Sequence, residues 1–192
     1  SLLLIVSQRR VSASAARWSP VYFAALGVGF MLVEITVVQQ TRLFLGHPAY
    51  AVTTTIAVLL VGGGIGSWLG GRLGLKSPRL PLLGVIMVMI LWLLLWNVIS
   101  QNFLSMPLAG RILVAGLCLL PLALLIGMPF PLGLQQIAGA GGGQVALAWT
   151  VNGVATVVGT VGATALATLS GYQSVLVAGV VAYAIASIYA YA

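Results

Sequence analysis

The stretch Gly29-Phe30-Met31-Leu32-Val33-Glu34-Ile35-Thr36-Val37-Val38-Gln39-Gln40, GFMLVEITVVQQ, carries the only acidic side chain of the protein, set inside an apolar run. Outward from it the apolar run reaches back to Pro20 and forward to Leu45. A bilayer's hydrocarbon core needs ~20 such residues, so this segment reads as a membrane span. Glu34 then lies about 14 residues in, roughly 21 Å along the helix and near the bilayer middle.

The rest of the composition agrees. Of 192 residues, 61% are hydrophobic and only 5% charged, and mean hydropathy is +1.16. A soluble domain carries about 25% charged residues, so a soluble fold is excluded. The expected fold class is an all-α, polytopic transmembrane helix bundle. It has about six spans: Pro20–Leu45, Ala49–Gly71, Leu80–Ser100, Leu108–Gly127, Gln144–Leu169 and Gln173–Ala190. Gly46-His47-Pro48 ends the first span, and Gly127-Met128-Pro129-Phe130-Pro131 breaks the fourth, with Pro129 and Pro131 as helix breakers. A short interfacial piece, Leu132–Ile137, and a Gly-rich link, Ala138–Gly143, follow. Span three is apolar all round, which suits a helix with one side in lipid. Ser1–Val6 is too short to span and reads as the tail of a preceding helix, so the chain is expected to be part of something longer. Residues 1–19 are then that tail plus a basic cytoplasmic loop, and residues 20–192 the six-span domain.

The net charge is +7 and the pI about 10.4. The cations sit in short loops, where they set orientation; nucleic acid is not an expected partner. Arg9, Arg10, Arg17, Arg72, Lys76 and Arg79 fall on one side, with Arg42 and Arg111 on the other. The positive-inside rule puts both ends in the cytoplasm, with a bacterial inner membrane as the expected location. The one cysteine, Cys118, allows no internal disulfide. One His and one Glu build no metal site, haem site or carboxylate pair, so no metal, cofactor or catalytic residue is expected.

Two small-residue stripes mark helix contacts. Gly62, Gly66, Gly70 and Gly74 recur at a spacing of four in span two, beside Gly63, Ser67 and Gly71. In lipid, such a face lets another backbone approach. In span five, Asn152, Thr156, Thr160, Thr164 and Thr168 form one row and Ala155, Gly159, Ala163 and Ala167 the next. The threonine hydroxyls either bond back to their own helix carbonyls or line a polar cavity. An ionisable group at mid-bilayer costs about 2.5–3.5 kcal/mol on insertion scales, so Glu34 should face protein or water, neutral and donating a hydrogen bond. If span five runs with span one, Thr156 and Thr160 lie near its depth and Asn152 about 9 Å nearer the cytoplasm. The candidate intramembrane polar site is therefore Glu34, Asn152, Thr156 and Thr160. Three roles are open for Glu34: a node tying spans one and five together, a solute or proton site, or a contact to another subunit. Gln39, Gln40, Arg42 and His47 form an outer polar cluster, with His47 read as a loop-capping residue. Trp18, Trp68, Trp96 and Trp149 fall at expected interfacial belts, and Trp92 lies deeper.

Five phrases taken together carry a resemblance: YFAALGVGFMLVEI (22–35), RLFLGHPAYAV (42–52), GGGIGSWLGGRL (62–73), GMPFPLGL (127–134) and AWTVNGVATVVGTVGA (148–163). In this order they resemble the multi-pass membrane region of membrane-bound spermidine synthase-like proteins, of the polyamine aminopropyltransferase family. The likeness covers most of residues 20–190. It implies a non-catalytic membrane domain that anchors, or passes solute to, a synthase-like partner. Soluble members use several acidic residues to hold amine and cofactor; one Glu and no Asp cannot. Other expectations from different classes are an accessory subunit among other membrane subunits, and a small transporter using Glu34 and the Thr face. Besides the lipid bilayer, a homodimer, giving twelve spans, is an open partner state. The six spans divide into two sets of three, the second inverted, as in transporter repeats.

Overall fold

The computed structural model describes residues 2–140 and 142–190, with side chains described from Pro20 to Gly139 and from Gly142 to Ala190. Ser1, and the side chains of Arg9, Arg10, Arg17 and Trp18, lie outside the described residues. Every described element is helical: α1 (Leu2–Leu45), α2 (Pro48–Arg72), α3 (Arg79–Asn102), α4 (Leu108–Ile126), α5 (Pro129–Ile137), a short 3-10 turn (Ala138–Ala140) and α6 (Gly142–Tyr189). Among the described residues five stretches are long and apolar enough to cross a membrane: Pro20–Leu45, α2, α3, α4 with α5, and α6.

The last of these makes two passes. Gly171, at φ 79° and ψ 166°, interrupts α6. That conformation is essentially confined to glycine. Before it, Asn152 and Gly159 lie against Phe23, Gly27 and Val28 of α1. After it, Gly179 and Tyr183 lie against Leu32, Val33 and Gly29 of the same helix. Residues 142–170 therefore ascend beside α1 and residues 172–189 descend beside it. The second limb spans about 27 Å, enough for one crossing. Among the described residues the two limbs of α6 correspond to the expected fifth and sixth passes, joined by a glycine reversal.

Boundaries differ from expectation at three places. The segment before Pro20, expected as the tail of a preceding helix and then a basic loop, is continuous helix from Leu2, with Pro20 inside it. Proline forbids only one amide donor and crowds only the preceding turn, so a helix rich in Ala and Ser can carry it. The break after α4 occupies Gly127 and Met128, and α5 begins at Pro129, three residues earlier than expected. Proline suits the first helical position because its absent N–H is not needed there. Gly74, expected in the packing stripe, lies beyond α2 at φ 61°. Gly74 N–H donates to the Gly71 carbonyl and Leu75 N–H to that of Gly70. This pair of bonds is a Schellman cap, for which a left-handed glycine is favoured.

Helix packing rests on the small residues. Without a hydrophobic driving force between helices in lipid, close approach and hydrogen bonds hold them. Gly62 meets Ala123, Gly66 meets the Leu124 backbone, and Gly127 meets Gly63, closing α2 onto α4. At Gly70 a β-carbon would stand 3.5 Å from the Met128 side chain, so the approach there is looser. The buried row of α6, Ala155, Gly159 and Ala163, closes its first limb onto α1. The second pass of each set of three thus lays its small face on the first pass of the other set. Two arginines finish helix ends. Arg111 Nη1 donates to the Phe44 carbonyl (3.0 Å), at the C-terminus of α1. Arg79 Nε donates to the Ala190 carbonyl (2.7 Å), just past that of α6. A cation is stabilising at a helix C-terminus, where carbonyls lack partners.

Trp96, expected near an interface, is buried in the core with Trp92. The two indoles stack at 4.3 Å and 8°, and Phe44 meets Trp96 edge-on at 5.5 Å. Along α3, Leu82, Val85, Met89, Trp92 and Trp96 face inward, while Leu83, Met87, Leu94 and Val98 are exposed, as a span with one lipid side requires.

Candidate functional site: an intramembrane groove

Gly27, Phe30 and Glu34 recur at intervals of three and four on α1, which places them on one helix face. Beside this face lies a groove of about 640 Å³ between α1, α2, α5 and the first limb of α6. Its walls include Gly27 and Phe30 of α1, Gly63 and Ser67 of α2, and Asn152 and Thr156 of α6. Glu34 stands one turn beyond Phe30, about 6 Å further along the helix. It is half-buried.

Asn152 is held by its side chain. Nδ2 donates to the Phe23 carbonyl at 3.0 Å, tying α6 to α1. Gly27 makes this crossing close: a β-carbon there would stand 2.6 Å from the Asn152 carbonyl oxygen and 3.1 Å from Thr156 Oγ1. The α5 wall is fixed in the same manner. Tyr22 donates its hydroxyl to the Pro129 carbonyl (2.7 Å), and Gly133 makes room for the Tyr22 ring. Phe130 packs edge-on against Phe23 at 5.3 Å and Trp149 at 4.6 Å, forming an aromatic floor. Pro131 completes that wall.

The threonine row does not bind Glu34. Thr156 Oγ1 donates to the Asn152 carbonyl, Thr160 to Thr156, Thr164 to Thr160 and Thr168 to Thr164, at 2.8–3.0 Å. Each hydroxyl satisfies itself four residues back on its own helix. Thr160, Thr164 and Thr168 are exposed on the flank of α6. Of the four expected site residues, Asn152 and Thr156 line the groove, whereas Glu34, one turn beyond the lining residue Phe30, and Thr160 do not. Among the described residues Glu34 has no hydrogen bond or ion pair. The depth match also differs. Asn152 is level with Phe23–Gly27 and Gly159 with Val28–Met31, so Thr156 falls below Glu34.

The expected outer cluster is not assembled either. Gln40 accepts a hydrogen bond from Trp92 Nε1 (2.6 Å) on α3. His47 is the exposed N-cap residue of α2 with no side-chain cap bond, and its ring lies 5.3 Å from that of Tyr50. Arg42 is exposed. Gln39 buries an oxygen without a hydrogen-bond partner. Gln40 points about 100° away from Gln39 and about 160° away from Arg42 around the helix, so the three do not converge.

Of the groove walls not expected as site residues, Gly63 and Ser67 were legible only as part of a helix-packing stripe, and Phe30 and Phe130 gave little signal. Each is an ordinary apolar or small residue, and only its place beside the α4–α5 break makes it a wall. Comparison with protein-family models, curated proteins and solved structures finds no match to this chain.

Proposed function

We propose that this chain is a non-catalytic membrane domain, of the kind the resemblance to spermidine synthase-like membrane proteins implies, which holds a small cationic solute and passes it to a partner. The observation that carries this reading is Glu34. It is half-buried, within a span, and without a partner in the described chain, on the helix face that leads into the groove. A carboxyl group in such a place is costly unless something pairs with it. An organic cation with an apolar stem meets both halves of the surface: the carboxyl group for its ammonium, and the apolar walls for its methylenes. The groove also lies between the first and second sets of three passes, where repeat-built transporters place their substrates. The phrases that carry the resemblance supply its contacts: Tyr22 with Pro129 and Gly133, Gly63 with Gly127, and Gly27 with Asn152.

The test is saturable binding of radiolabelled spermidine to the purified chain in lipid nanodiscs. Binding that falls at least about tenfold in Glu34→Gln, and partly returns in Glu34→Asp, is the expected result; tenfold corresponds to ~1.4 kcal/mol. Absence of saturable binding, or binding indifferent to Glu34→Gln, would overturn the reading and leave an accessory-subunit role in its place.

A further inference from the structure

A second cavity, of about 380 Å³, lies at the opposite end of the bundle from the Arg79–Ala190 contact, where α1 ends, α3 ends and the second limb of α6 begins. Gln40 lines it from α1, Trp92, Trp96, Asn97 and Gln101 from α3, and Gln173 from α6. Its volume falls within the ~300–1,000 Å³ range of small-molecule sites. It is separate from the groove. Gln40 is six residues past Glu34, so the two side chains diverge by roughly 120° around α1.

The chemistry of the lining is specific. Four primary amides converge from three helices, and no ionisable side chain lines the cavity. The indole N–H of Trp92 only donates, so its 2.6 Å bond fixes the Gln40 oxygen toward Trp92. The two Gln40 N–H groups are left for the cavity. The side chains of Asn97, Gln101 and Gln173 are exposed and have no hydrogen bond among the described residues. Asn97 and Gln101 are four apart and share a face of α3. The cavity therefore offers paired donors and acceptors with no net charge. An anion would find no cation there, and an ammonium no carboxylate. A ligand rich in hydroxyls, each both donor and acceptor, matches the amides one for one. The apolar floor suits the C–H face of a sugar ring.

We infer that this cavity binds a neutral glycosyl unit, supplied as a free sugar or as the headgroup of a glycolipid. Leu43, 75% exposed beside the cavity, and the exposed Leu104 extend its rim in apolar surface along which an acyl chain can lie.

The test uses the purified full chain and two probes: radiolabelled maltose in a proximity assay, and glucosyldiacylglycerol in nanodiscs read by native mass spectrometry. Saturable maltose binding assigns the free sugar; retention of the glycolipid alone assigns the headgroup. In either arm, the exposed double variant Asn97→Leu/Gln173→Leu should weaken binding at least about tenfold while preserving the thermal midpoint. Glu34→Gln should leave it unchanged, which separates this site from the groove. Binding of neither probe, or binding unaltered by the double variant, would overturn the inference.

Discussion

Gly66 on α2 lies directly against the Leu124 carbonyl on α4: a β-carbon at position 66 would overlap that oxygen and stand 3.0 Å from the Leu124 α-carbon. Neither atom belongs to a side-chain tip that could swing away. Gly66→Ala should therefore force α2 and α4 apart and cost about 1–3 kcal/mol. Gly64 and Gly71, with open space where a β-carbon would go, serve as internal controls. Gly64→Ala should be neutral or stabilising by about 0.5–1 kcal/mol, since alanine loses less backbone freedom in a helix. Thermal or SDS denaturation midpoints in a common detergent measure the contrast. Equal effects at 66 and 64 would mean that α2 does not pack on α4 in this register.

The Asn152–Phe23 bond ties the first limb of α6 to α1 at the groove. Hydrogen bonds between membrane helices average about 0.6 kcal/mol, with a maximum near 1.7. Asn152→Leu should lose that amount. Gly27→Ala should lose more, because its β-carbon would stand 2.6 Å from a backbone oxygen. The two residues share one contact, so the double variant should cost less than the summed singles. A double-mutant cycle on denaturation midpoints reads the coupling, and strict additivity would argue against the contact.

The exposed threonines make the opposite forecast. Thr164 and Thr168 bond only to carbonyls of their own helix, which already hold helical N–H groups. Thr164→Val and Thr168→Val, nearly the same shape, should change stability by less than about 0.5 kcal/mol. They should also leave spermidine binding untouched. A large loss of binding in either variant would return the Thr row to the site.

The fold class was legible from hydropathy, and the helix contacts from period-four glycine and alanine. Both are local properties of one helix. Stripes predict which face is buried, but not which of two adjoining rows wins: in α6 the Ala155–Gly159–Ala163 row is buried and the hydroxyl row is largely outside. Hydroxyls that can close on their own backbone carry no information about a partner helix. The two arginine caps and the Gln40–Trp92 bond were not legible either. Each joins residues at least 52 apart in sequence, by side chains whose types also suit interfaces. The depth error at Thr156 arose because sequence gives the direction of α6 but not its offset along α1.

Those arginine caps carry a prediction of their own. Arg111 lies in the first turn of α4 and closes the end of α1, reaching the Phe44 carbonyl. Cations at helix C-termini contribute about 0.3–1 kcal/mol when exposed and up to ~2 when partly buried. Arg111 is partly buried and Arg79 exposed. Arg111→Met should therefore lower stability more than Arg79→Met, by about 1–2 kcal/mol against less than 1. Denaturation midpoints at low and high salt would separate them further, since screening acts more on the more exposed Arg79 side chain. The reverse order would mean that the carbonyl contacts, as opposed to burial, set the effect.

The sharpest case is Glu34 itself, because stability and function are expected to part there. Were it a node between α1 and α6, Glu34→Leu would remove a hydrogen bond of about 0.6–1.7 kcal/mol, and Thr156→Val or Thr160→Val would lose a similar amount. In the fold, those hydroxyls donate to Asn152 and Thr156 carbonyls instead, and Glu34 is left without a partner in the described chain. Glu34→Leu should then keep the denaturation midpoint within about 0.5 kcal/mol of the parent, or raise it, since it removes an ionisable group from a span. Spermidine binding should nevertheless disappear in the same preparation. A variant that both unfolds more easily and loses binding would restore Glu34 as a structural node. A variant that is stable and still binds would place the cation elsewhere in the bundle.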